Sequence, residues 1–162
     1  MPLVLNSSSI TGLAAVGGLS SPQTGSVLQV VCNTYATIVS STTSTFVDTG
    51  LTATITPTSA TSKILVLVSQ NGIQKLTNTG AYMRVAVLRN ATIIGTPAVT
   101  AGYTGSAATN YIGSVSGDYL DSPATTSAIV YKTQFKSEGN AATVSVQGDS
   151  EQSTITLMEI AA

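Results

Sequence analysis

The chain has no histidine, which removes the commonest general base and leaves carboxylates as the first candidates for acid–base chemistry. Asp118 and Asp121 stand three residues apart in GDYLDSPAT, and Asp149 and Glu151 flank a turn at GDSE. A carboxylate pair could protonate and attack a glycosidic bond. Two aspartates with backbone carbonyls could hold Ca²⁺. Neither pattern is developed. Glycoside chemistry needs a cleft, usually lined with aromatic rings, and the chain has no Trp and two Phe. The spacing of Asp118 and Asp121 falls well short of D-x-D-x-D-G, and aspartate in such a stretch reads first as a turn former.

Other chemistries are excluded more simply. Without histidine there is no Ser-His-Asp or Cys-His arrangement and no usual zinc site. The lone cysteine, Cys32, can make neither an intrachain disulfide nor a thiolate metal site. Lying in the apolar run SVLQVVCNT, it is expected to be a buried, inert thiol. There is no Walker loop and no G-x-G-x-x-G after a strand. The sequence therefore reads as non-enzymatic, with no catalytic residue, no cofactor and no metal. The six tyrosines are the most suggestive polar aromatics. Tyr103 and Tyr119 fall in segments that read as loops, where rings contact sugars or protein, and are the expected outward contacts.

Composition narrows the class. The 162 residues make one ordinary domain, large enough to bury a core. Hydrophobic residues make up 43%, so the chain is not a disordered tail, yet only 8% is charged against ~25% in an ordinary soluble domain. Solubility must rest on hydroxyls, supplied by 26 Thr and 21 Ser. Such a neutral surface suits a protein packed permanently against others. With a net charge of −1 and no basic cluster, the chain cannot supply the phosphate contacts of nucleic-acid binding. The leading MPLVLNSSSITGLAAVGG has no basic region, which argues against a signal peptide. No run approaches the ~20 apolar residues of a membrane span.

Two regions follow. Residues 1–25 carry no charge and no aromatic ring, and their aliphatic residues keep no period. They read as an N-terminal docking arm, with Leu3, Leu5, Ile10 and Leu13 as the residues that grip a partner. Residues 26–162 read as strands separated by turn residues, at the spacing of a sandwich. Expected strands include 26–33, 35–40, 45–48, 51–56, 63–70, 81–89, 91–94, 111–115, 126–136, 142–147 and 154–160. In 51–56 apolar residues alternate with threonine, whose β-branch favours the pleat. The unbroken run 63–68 is expected to be covered on both faces. Residues 95–105 and 117–125 read as loops. The fold class is all-β: an antiparallel two-sheet β-sandwich, jelly-roll-like, with another Greek-key sandwich as the alternative.

Four blocks carry a resemblance: GSVLQVV at 25–31, DTGLTATITPTSATSKILVLV at 48–68, YLDSPATTSAIVYKTQF at 119–135 and STITLMEIA at 153–161. They resemble a family of tailed-phage virion surface proteins, cyanophage members among them. The resemblance implies a β-sandwich homotrimer on the virion surface, assembled in the host cytoplasm. It implies either a capsid cement (decoration) protein bound to the major capsid protein, or the distal module of a tail fibre or tailspike. With no repeats and no heptads to build a shaft, the residues favour the cement protein. Host surface glycans are the expected partner of outward tyrosines.

Overall fold

The structure, a computed structural model, describes residues 22–76, 78–139 and 141–162. The arm residues Leu3, Leu5, Ile10 and Leu13 lie outside the described residues. Ten strands follow in order: β1 (Val27–Tyr35), β2 (Val39–Ser41), β3 (Val47–Ile55), β4 (Lys63–Lys75), β5 (Tyr82–Arg89), β6 (Thr92–Ala101), β7 (Asn110–Asp121), β8 (Ile129–Glu138), β9 (Val144–Val146) and β10 (Ser153–Ile160). They form two antiparallel sheets. In the six-stranded sheet β1 pairs with β10, β10 with β4, and β7 runs along the other edge of β4. The short β9 and β2 extend this sheet from the last residues of β4. The four-stranded sheet runs β3-β8-β5-β6. Without the two short strands, β1-β10-β4-β7 faces β3-β8-β5-β6, an eight-stranded jelly roll.

Alternation builds the interior. In β3, Leu51, Ala53 and Ile55 are buried while Thr52 and Thr54 are exposed. In β8, Ile129, Tyr131 and Phe135 point in, and Lys132, Gln134 and Lys136 point out. The core has two apolar halves. One gathers Leu51, Ile55, Ile64, Val66, Tyr131 and Leu157; the other gathers Ile73, Met83, Val85, Phe135, Val144 and Val146. Between them lies a buried polar belt. Thr133 Oγ1 donates to Gln70 Oε1 at 2.8 Å, and Gln70 Nε2 donates to Ser153 Oγ at 2.9 Å. The Thr49 and Thr133 hydroxyls share a hydrogen bond of 2.5 Å. Thr49 and Thr133 belong to one sheet, Gln70 and Ser153 to the other, so the belt ties the layers together. Burial without partners would cost each group several kcal/mol, on the order of 1–3.

Several expectations are corrected. The segments 45–48 and 51–56 are one strand. Gly50, at φ 88°, forms an irregularity rather than a break, and a Cβ there would fall 2.3 Å from the Tyr35 ring. The run 63–68 is covered on its inner face only: Ile64, Val66 and Val68 are buried, whereas Leu65 and Leu67 are half-buried on the outside. Most of the expected loop at 95–105 is the second half of β6, whose register shifts against β5 accommodate Gly95 and Pro97. The expected loop at 117–125 begins as the end of β7. Cys32 is exposed, because Val31 takes the inward position on β1 and its neighbours face out.

Candidate contact surface

The sandwich has two outer faces. That of the four-stranded sheet carries Asp48, Arg84, Lys132, Lys136 and Glu138, and every one is paired. Arg84 meets Glu138 at 3.0 Å, Lys136 meets Glu138 at 2.5 Å, and Lys132 meets Asp48 at 2.8 Å. The Lys136 ammonium also sits 5.0 Å from the centre of the Phe46 ring. The Lys136 ammonium, with Arg84 behind it, holds the Glu138 carboxyl below the ordinary range. Partial burial pushes the Asp48 carboxyl up, but bonds from Lys132 and Gln134 outweigh it and hold it low. Every charge on this face has a partner, three cations sharing two carboxylates, and the face is suited to water.

The outer face of the six-stranded sheet is different. Direct cross-strand pairs place Val30 beside Met158, Met158 beside Leu65, and Leu65 beside Leu120. The result is one apolar row across four strands, with Val30 55% and Leu120 57% exposed at its ends. The next row is Cys32, Thr156, Leu67 and Asp118, and the one after is Thr34, Thr154, Ser69 and Ser116. A shallow groove of about 310 Å³ runs between the last two rows, lined by Leu67, Ser69, Ser116, Asp118, Thr154 and Thr156. Lys63 and Asp118 are the only charged strand residues on this face among the described residues.

The edges are closed by side chains. At one side, Gln29 Nε2 donates to Thr56 O at 2.8 Å and Asn33 Nδ2 to Thr52 O at 2.6 Å, pinning β1 to the chain of β3. At the other, Arg89 donates to both Asp121 oxygens at 2.9 and 3.0 Å, and the Tyr131 hydroxyl donates to Asp121 at 2.7 Å. Burial and then the Asp121 bond push the Tyr131 phenol well up. A third clamp is Glu159, fully buried, which accepts from Gln29 Nε2 at 2.6 Å, Thr58 N at 2.7 Å and Thr58 Oγ1 at 2.8 Å. Burial opposes its charge, yet the Gln29 amide and the Thr58 donors win, and its pKa falls to about 2. It holds the corner between β3 and β4.

The residues singled out from sequence are not brought together. Asp118 and Asp121, three apart on one strand, lie on opposite faces of β7: Asp118 is exposed, and Asp121 serves the Arg89–Tyr131 clamp. They form no carboxylate pair, and no metal-holding cluster of acids and thiols occurs among the described residues. Glu151 accepts from Gly72 N at 2.9 Å. Tyr119 sits on β7, not in a loop, with its ring over Gly95 and against the core. Burial, then the Asp118 charge, raises its phenol. Tyr103 is 57% exposed and lies 6.3 Å from the Tyr82 ring. Its loop is held by the buried Lys75, whose ammonium donates to Thr104 Oγ1 and to Ala108 O. Sequence reasoning missed Glu159 and the clamp on Asp121. For Glu159 the signal was present: Ser153, Ile155, Leu157 and Glu159 share one face by alternation.

No helix among the described residues is long and apolar enough to cross a membrane. No family model and no curated protein matches the sequence. Solved structures of infectious bursal disease virus are similar to the chain. The VP2 subviral particle gives a TM-score of 0.47 at 11% identity, covering 84% of this chain and 34% of that one. The Gt strain structure gives 0.45 at 12% identity, covering 85% and 39%. The Gx strain structure gives 0.45 at 13%, covering 84% and 33%. The chain thus spans about a third of the length of those solved chains.

Proposed function

We propose that this chain is a non-enzymatic structural protein of a tailed-phage virion, acting as a trimeric cement or decoration protein on the capsid. The observation that carries this reading is the near charge-free outer face of the six-stranded sheet, opposite a face whose charges are all paired. One side is built for water and the other for protein contact. The four blocks that resemble phage virion surface proteins supply β10, most of β3 and β8, and the first half of β1 and of β4.

The mechanism is mechanical. A protein that binds the assembled shell and not its free subunits stabilises the shell by mass action. Residues 1–25 act as the docking arm, with Leu3, Leu5, Ile10 and Leu13 gripping the major capsid protein. Three arms on one trimer bind with avidity. A second reading, the distal module of a tail fibre or tailspike, is favoured by the exposed Tyr103 and Tyr111 at one end of the sandwich, where host glycans could stack.

Deleting residues 1–20 tests the arm. The truncated chain is expected to keep its fold by circular dichroism and to lose decoration of purified shells; undiminished occupancy overturns the arm mechanism. Stoichiometry on a gel of purified virions separates the readings. A cement protein is present in proportion to the capsid protein, and a fibre module is far scarcer.

A further inference from the structure

We infer that the outer face of the six-stranded sheet is a two-fold contact between copies of this chain, with the Val30–Met158–Leu65–Leu120 row along the axis and Lys63 of one copy against Asp118 of the other. The inference rests on reading this face as a contact surface, and it stands or falls independently of the virion assignment.

The placement of the two charges selects the occupant. Lys63 lies on β4 two residues to one side of Leu65. Asp118 lies on the neighbouring β7, opposite Leu67 and therefore two residues to the other side. Each is about 7 Å from the row along the strands, and the strands are about 4.8 Å apart. A two-fold axis laid along the row turns one copy over onto another. The apolar row then meets itself. The step carrying Ile160 and Lys63 meets the step carrying Thr156, Leu67 and Asp118. These two charges are thereby neutralised twice, once on each side of the axis. An unrelated partner would have to supply both opposite charges at that spacing, whereas a second copy supplies them by symmetry.

The overlap of four strands over about six residues is roughly 400 Å² per copy. That puts the contact in the weak, reversible range, suited to many repeats across a lattice. In the proposed trimeric assembly this contact runs from one trimer to the next.

The test is sedimentation of the full chain over a concentration series. Leu120→Asp, at an exposed position, is expected to weaken pairing at least about tenfold, with an unchanged circular dichroism spectrum. Lys63→Asp is expected to weaken it as well, and Lys63→Asp with Asp118→Lys to restore it to within about threefold of wild type. Lys63 and Asp118 lie about 14 Å apart along the strands of one copy, so rescue reports contact between copies. The inference is overturned if wild type and Leu120→Asp behave alike, or if the double swap pairs no better than Lys63→Asp. Loss of pairing with shell decoration intact, or the reverse, tells failure of this contact from failure of the proposed function.

Discussion

The two outer faces of the sandwich use strands of similar length but different residues. On the four-stranded side, lysine, arginine and acid side chains lie across the strands and pair with one another. On the six-stranded side the same outward positions hold Val30, Met158, Leu65, Leu120 and rows of hydroxyls. Both sheets supply inward residues to the same two apolar clusters. Folding therefore does not account for the difference, since either face would close the same core. It is the environment of each face that differs, and five of the chain's thirteen charged side chains are spent on the watered one.

β7 carries an acid on each side, and substituting each in turn separates the two faces. Asp121→Ala leaves the Arg89 guanidinium and the Tyr131 hydroxyl without their acceptor, and a loss of about 3 kcal/mol in urea unfolding is expected. Asp118→Ala, facing out, is expected to change the stability of the isolated chain by less than about 0.5 kcal/mol. Equal effects would mean that the two faces of β7 are not distinct. Next comes Glu159. Its pKa of about 2 lies below the ordinary 4.5. The stabilisation from its charged form is therefore complete above pH 4.5 and is lost as pH falls towards 2. Glu159→Gln should lower the melting temperature at pH 7 and flatten the acid limb between those values, as read by thermal unfolding across pH. The smallest effect is expected on the charged face. Lys132→Met should cost under about 1 kcal/mol, less still at high salt, and leave pairing between copies unchanged.

Much of the architecture was legible in the sequence. Alternation of apolar residues with threonine or lysine marks β3 and β8, and turn residues separate most strands, which is enough for an all-β sandwich. The errors share one cause. Gly50, Gly95, Pro97 and Gly117 look like breaks, but the register shifts of edge strands β3 and β6 absorb the first three, and Gly117 pairs in regular register with Val68. The unbroken apolar runs around Cys32 and Leu65 concealed which residue faces out. A run of valine and leucine has no polar phase to read, and only strand pairing reveals that these outward residues line up. The clamp on Asp121 was invisible because Arg89 and Asp121 are distant in sequence and meet across the edge of the sandwich.

The hydrogen-bonded belt at the middle of the core has a mechanical consequence. Greasy layers can slide over one another at little cost, because one methyl is much like the next. The bonds from Gln70 to Thr133 and Ser153, and from Thr49 to Thr133, have a single matching alignment. Pulling on one layer therefore loads the other directly, so a tug applied to one side of the molecule is resisted as shear throughout its thickness.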